Sequence, residues 1–330
     1  MKTRTKFFTF LTAAFLLASL SFGQNQDKYS ELVTEAWSLY ESQRYKESAE
    51  KYKAAFDQLD GKAYPNDRYN AACSYALAKD IENSFYHLFY LAENPKIKYR
   101  DLGHISTDQD LKILYPDNRW EKLIEIVSAN KKEHEKDLDL PLVAILDTIY
   151  EEDQKYRRQI EDIEKKHGWE SDEMKAHWKI INEKDSINLV KVKEILDTRG
   201  WLGSKVIGGK GNSTLFLVIQ HSDLETQLKY LPMMREAVKL GNASASSLAL
   251  LEDRVALRQG KRQIYGSQIG RDQESGEYYV SPLMEPEKVN ERRAEVGLGT
   301  LEEYIANWDI SWDVEKHKKR TETIESEREK

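Results

Sequence analysis

Four short stretches in the last third of the chain carry side chains that could do chemistry. They are QHSD at 220–223, LLEDR at 250–254, QIYGSQ at 263–268 and EPEKVNERRAEVGL at 285–298. Asp253 and Arg254 interrupt a segment whose other members, Leu248, Leu250, Leu251, Val255 and Leu257, are apolar nearly all round. Such a helix is buried, and buried charges are costly unless they are answered. His221, Asp223 and the adjacent Arg292 and Arg293 are available to answer them. Two chemistries fit. A small anionic or carboxylate ligand could be held between Arg254, Arg292 and Arg293, with Gln220, Asp223, Tyr265 and Gln268 beside it. Alternatively, His221 could act as a general base oriented by Asp253, as in a hydrolase.

Other chemistries find less support. His221 and Asp223 are two residues apart and do not face each other on a helix. His221 and Glu225 share a face, but one pair is not a metal site, and His167 and His177 read as surface residues without a companion at ligand spacing. GWLGSKVIGGKGNS at 200–213 imitates a phosphate loop. Gly203 to Lys210 is one residue too long, and Gly211 stands where a Ser or Thr should bind magnesium. That stretch reads as a loop. No nucleophile elbow appears, and neither a cofactor nor a metal is expected. The single cysteine, Cys73, lies among small residues in YNAACSYALA and reads as a packed hydrophobe.

The elements that position these groups read as mostly helical. Residues from Ser213 to Leu231 form one predicted helix, with Leu217, His221, Leu224, Leu228 and Leu231 on a stripe and Gln220, Asp223 and Gln227 beside it. Pro232 begins the next helix and Gly241 closes it. A small β-hairpin is expected near 263–282, with Tyr265 and Gln268 at its start and Gly266 as a bulge. Upstream, Leu142, Ile145, Leu146, Ile149, Tyr156, Ile160 and Ile163 fall near helical spacing. The charge runs between 130 and 200 read as solvated faces.

The N-terminal part repeats itself. Ala72 answers Ala36, Asp80 answers Arg44 and Ser84 answers Ser48, an offset of 36 residues each time. This resembles tetratricopeptide hairpins, whose period is about 34 residues. YNAACSYALA, YRDLGHISTDQDL and DNRWEKLI together look like the terminal unit of such an array. The resemblance implies a groove for a protein or peptide partner. Taken in order, QHSD, LLEDR, QIYGSQ and EPEKVNERRAEVGL resemble a bacterial domain of unknown function, number 6624, over roughly 135–308. Gln220, His221, Asp223, Asp253, Arg254, Tyr265, Gly266, Gln268, Arg292 and Arg293 match its motif positions, while Ser222 and Ser267 stand where Ala and Thr are expected. The resemblance implies a shared polar site and no particular activity.

Location follows from the start of the chain. Lys2, Arg4 and Lys6 precede an apolar stretch from Phe7 to Phe22, with small residues at Ser21 and Gly23. This pattern predicts a signal peptide over 1–23, cleaved near Gly23–Gln24, and a periplasmic or secreted protein. No later stretch is apolar for long enough to insert in a bilayer. The chain carries −7, and removing the three leader cations leaves −7 − 3 = −10. No basic face is present, so nucleic acid is not an expected partner. The expected organisation is a mainly α protein: a leader at 1–23, tetratricopeptide-like repeats at 24–130, a helical domain with its hairpin at 131–310, and a charged tail at 311–330.

Overall fold

The computed structural model describes residues 25–272 and 275–328. The expected leader at 1–23 lies outside the described residues. Within them the protein is mainly α-helical, with one two-stranded antiparallel sheet. No described helix is long and apolar enough to cross a membrane. The chain divides into two compact units between Lys136 and Asp137.

The first unit contains α1 (25–41), α2 (Tyr45–Gln58), α3 (Pro65–Leu77), α4 (Ile81–Glu93), α5 (Leu102–Thr107), a 3-10 helix (Gln109–Leu114) and α6 (Asn118–Glu135). The first four helices make two hairpins that repeat one another in detail. Each turn passes through a left-handed residue, Gln43 at φ 59° and Lys79 at φ 64°. The next N–H, of Arg44 or Asp80, returns to Leu39 O or Tyr75 O at 2.9 and 2.8 Å. Ser48 Oγ donates to Ala36 O, and Ser84 Oγ to Ala72 O, both at 2.8 Å. All four of these residues are fully buried. Small side chains let the helices approach, and the hydroxyl ties one backbone to the other. Ser84→Ala should therefore lower stability by about 1 kcal/mol, the worth of one buried hydrogen bond. Ser48→Ala should do the same, and urea denaturation of the full chain checks both.

A buried arginine braces this unit. Arg68, 2% exposed, donates through Nη1 to His87 Nδ1 at 3.1 Å and through Nη2 to Gly61 O at 2.7 Å. Its guanidinium lies 3.9 Å from the centre of the Tyr90 ring. An arginine cannot accept, so Nδ1 must be the acceptor and neutral His87 carries its proton on Nε2. Burial, and then the charge of Arg68, pull the His87 pKa down to about 4. Cys73 is buried, and burial together with Asp108 and Asp110 pushes its thiol well above the ordinary range. It packs as an inert small side chain.

The second unit is a bundle of α7 (Leu140–Arg157), α8 (Ile160–His167), α9 (Asp172–Arg199), α10 (Ser204–His221), α11 (Leu224–Lys239) and α12 (Ala245–Arg258). Leu146, Ile149, Val192, Leu196, Leu215, Ile219, Tyr230, Met234 and Leu251 form its core. Strands β1 (Ile269–Arg271) and β2 (Tyr278–Val280) pair with Ile269 opposite Val280. A 3-10 turn (Pro286–Lys288), α13 (Val289–Glu295), α14 (Leu301–Ile305), a second 3-10 turn (Ala306–Trp308) and α15 (Val314–Arg328) follow. Val280, Leu283, Val289, Leu301 and Ile305 make a smaller core under the hairpin.

Four sequence expectations need correction here. The helix expected from Ser213 to Leu231 is two helices. The chain leaves α10 at His221, Ser222 is extended, and the Asp223 carboxylate caps α11 by accepting from Thr226 N at 2.7 Å. An aspartate two residues past the last residue of a helix is a strong N-cap, and it restarts the helix in a new direction. Pro232 accordingly lies inside α11 rather than at a start. From Ser204 onward the glycine-rich stretch is helical, kinked at Gly208, where φ is 70°. Gly211 faces α7: a Cβ there would lie 3.1 Å from Leu146 Cδ1, so glycine permits the close crossing. Within the charged stretch at 311–330, which needs no correction, helix α15 is started by Asp313, which accepts from Lys316 N, and is tied by Arg262 to Glu325 at 2.7 and 2.6 Å. His177, expected at the surface, is buried and donates to Tyr156 O at 2.7 Å.

Candidate functional site

The buried stripe of α7 reads Leu142, Leu146, Ile149, Asp153: a carboxylate stands where the next apolar residue should be. Asp153 is 1% exposed. Its Oδ1 accepts from His221 Nδ1 at 3.0 Å, across 68 residues of sequence, and its Oδ2 accepts from Gln154 at 2.7 Å. Arg157, one turn on, reaches over it. Its Nη2 donates to Asp185 on α9 at 2.7 Å, and its Nη1 lies 3.6 Å from Asp153 Oδ1. Burial raises the Asp153 pKa, but the hydrogen bond and charge of His221, then Arg157 and Gln154, outweigh it and leave the carboxyl below its usual range. An ionised carboxylate only accepts, so His221 Nδ1 carries a proton, and in the neutral ring Nε2 presents a lone pair. Nε2 has no partner among the described residues and is not one of the enclosed orphan atoms; the side chain is 17% exposed. Two enclosed polar atoms on α9, Asp185 Oδ1 and Asn188 Nδ2, also lack partners.

His221 is the last residue of α10, where carbonyls are left over. Two arginines one turn apart on α12 take the carbonyls on either side of it. Arg254 Nη1 donates to Gln220 O at 2.8 Å, and Arg258 Nη1 to Ser222 O at 2.5 Å. Cations belong at a helix C-terminus. Neither arginine, however, has a carboxylate within ion-pair distance among the described residues. Burial, followed by the charges of Arg258 and Arg157, pushes the Arg254 pKa down to about 10.

Asp253 is occupied elsewhere. Fully buried, it accepts from three backbone N–H groups: Ile264 at 2.6 Å, Tyr265 at 2.9 Å and Ser267 at 2.9 Å. The carbonyls of the same segment are held from the other side. Arg292 donates to Ile264 O, and Arg293 to Tyr265 O, both at 2.8 Å. Tyr304 donates to Ser267 O at 2.8 Å, and the Gln263 amide brackets Gln268 N and O. At Gly266, φ is 70° and a Cβ would stand 3.0 Å from Leu301 Cδ1. The motif residues around 253, 265 and 292–293 therefore clamp one irregular segment. What the clamp aims is Gln268, whose Oε1 accepts from Arg254 Nε at 3.0 Å.

The structure thus separates residues that the sequence grouped. Gln220, Arg254 and Gln268 are linked at the end of α10, next in sequence to His221, by the bonds of Arg254 to Gln220 O and Gln268 Oε1. Asp253, Arg292 and Arg293 are spent on backbone, Asp223 is a helix cap, and Tyr265 gives its N–H to Asp253 and its carbonyl to Arg293. Arg292 and Arg293 are turned to backbone carbonyls, Arg292 to Ile264, Met284 and Glu285 and Arg293 to Tyr265 and Gly299, and Arg293 is 2% exposed. Sequence reasoning missed Asp153, Arg157, Asp185 and Arg258. The signal for Asp153 was present: it falls on the stripe of Leu142, Leu146 and Ile149, hidden inside a run read as solvated charge.

Asp153, Asp185 and His221 offer ligand atoms within 4.8 Å of one another, a spacing a cation could use. Arg157 already lies between the two carboxylates, so a metal would have to displace a guanidinium. The other such group, Cys73, Asp108 and Asp110, is bonded to Tyr69 and Tyr40.

A double-mutant cycle separates the two carboxylates. His221→Ala with Asp153→Asn should show a coupling of about 1–3 kcal/mol, because each removes the other's buried partner. His221→Ala with Asp253→Asn should be additive. Coupling in the second pair and none in the first would overturn this assignment.

The fold and site define a helical-bundle domain in which an irregular segment, clamped by charged side chains, holds Gln268 on Arg254 beside a histidine–aspartate pair. The chain belongs to the family of unknown function DUF6624, whose model matches residues 137–315. No curated protein and no solved structure matches it.

Proposed function

We propose that this is an exported binding protein whose C-terminal unit holds a small anionic ligand beside His221, against Arg254 and Arg258, and whose N-terminal hairpins recruit a protein or peptide. The observation that carries the ligand reading is Arg254: a largely buried guanidinium without a carboxylate partner, in a neighbourhood with two further arginines. A carbonyl and the Gln268 amide take two of its hydrogen bonds, but its charge is left for an anion to balance. The open donors of Arg254 and Arg258, with His221 between their anchoring carbonyls, suit a carboxylate or phosphoryl group. The basic-then-apolar N-terminus supports export, and the 36-residue recurrence of turn and serine bond supports a tetratricopeptide-like recruiting surface.

One observation favours a second reading, a hydrolase. The Asp153–His221 pair is the arrangement that keeps a histidine in one tautomer with Nε2 free to take a proton. Calorimetric titration of the full chain with inorganic phosphate and with succinate tests the main reading. Saturable binding that weakens at least about tenfold, some 1.4 kcal/mol, in Arg254→Gln is expected. No binding, or binding indifferent to Arg254, overturns it. Turnover of p-nitrophenyl esters that vanishes in His221→Ala would select the hydrolase.

A further inference from the structure

A second concave site lies away from His221, between β2, the turn at 306–313 and α15. The cavity holds about 410 Å³, and its walls are the rings of Tyr278, Tyr279, Trp308 and Trp312. That volume falls within the range of small-molecule sites. Each of three rings is braced from behind. Tyr279 lies against Gly270, where a Cβ would meet the ring at 2.5 Å, so only glycine fits beside it. Trp308 leans on Tyr304 with ring centres 5.1 Å apart, and Tyr304 is itself bonded to Ser267 O. Trp312 leans on the buried His317 at 5.1 Å. The walls are therefore formed before any ligand arrives, which lowers the ordering cost of binding.

The polar lining is mixed in sign and uncommitted. The side chains of Glu277, Asp309 and Lys316 make no hydrogen bond or ion pair among the described residues. The Arg320 guanidinium sits 4.5 Å from the Tyr279 ring centre, held by a π face rather than by a carboxylate. Carboxylates argue against an anion here, and the lysine and arginine argue against a cation. A purely apolar ligand would strand all of them. A neutral ring with an apolar face and many hydroxyls suits both halves of the lining: its C–H face covers an aromatic wall, and its hydroxyls donate to carboxylates and accept from cations.

We infer that this cavity is a carbohydrate site that takes a neutral pyranose unit. It is independent of the anion site and does not rest on it. The test is a tryptophan-fluorescence titration of the full chain, with saturation-transfer NMR, using cellobiose and N,N′-diacetylchitobiose as probes. Saturable binding of at least one sugar is expected. It should weaken at least about tenfold in Trp312→Ala, which removes a wall, and in Arg320→Ala, which removes a surface donor without touching the core. His221→Ala should leave it unchanged. The proposal is overturned if neither sugar binds, if binding survives both cavity variants, or if choline or benzoate occupies the cavity in preference to both sugars.

Discussion

Asp253→Ala is expected to cost about 3–5 kcal/mol, enough to unfold much of the C-terminal unit at moderate temperature. The carboxylate is fully buried and is the acceptor for Ile264, Tyr265 and Ser267 N–H. Alanine strands three enclosed donors at once. It also leaves Arg292 and Arg293 pulling on the carbonyls of a segment whose Ile264, Tyr265 and Ser267 N–H groups have lost their acceptor. Asp253→Asn should be nearly as severe, since an amide turns an N–H₂ toward groups that are themselves donors. Equilibrium urea denaturation measures both. A loss below about 1 kcal/mol in either would mean that the 263–268 segment is held by other contacts, and that the clamp does not work as described.

Acid should weaken the protein through two histidines, one in each unit. His87 and His317 are buried, and each has its pKa drawn down to about 4 by burial and then by a neighbouring arginine, Arg68 or Arg262. In the unfolded chain both titrate near 6.5. The folded pKa is the lower one, so the neutral form stabilises the fold fully above about pH 6.5. As pH falls from there, the unfolded state gains protons that the folded state refuses. Stability should drop by about 1.4 kcal/mol per pH unit per histidine, on the order of 3 kcal/mol apiece by pH 4. Below that, both states are protonated and the loss levels off. His87→Gln keeps an acceptor for Arg68 but cannot titrate, so it should flatten the pH dependence by one proton in denaturation curves between pH 7 and 4. A slope unchanged by this substitution would show that His87 is not neutral in the fold.

Helical content and the small hairpin were legible because both rest on local periodicity. Leu142, Leu146 and Ile149 recur at helical spacing whatever they meet. The recurrence at 36 residues was legible for a similar reason: Ser48 and Ser84 are the same residue type at the same distance from the same turn. Local pattern was less reliable at junctions. The apolar stripe through Leu217, His221 and Leu224 continues across His221 as if the helix did, while the cap at Asp223 bends the chain. A stripe records which face is buried, and a cap records where the axis ends. At QHSD the two signals conflict, and the cap wins.

What the sequence alone determined is that Asp253, Arg254 and His221 had to be answered, because each lies among apolar neighbours and burial is a local property of a helix face. What only the tertiary structure decided is by whom. His221 found Asp153, 68 residues earlier on α7, Asp253 found three backbone N–H groups, and Arg254 found a carbonyl and the Gln268 amide. Periodicity tells that a side chain points inward, but not which element will stand opposite. That choice is made when α7, α10 and α12 pack, through contacts as specific as Gly211 against Leu146, and no spacing within one segment encodes it.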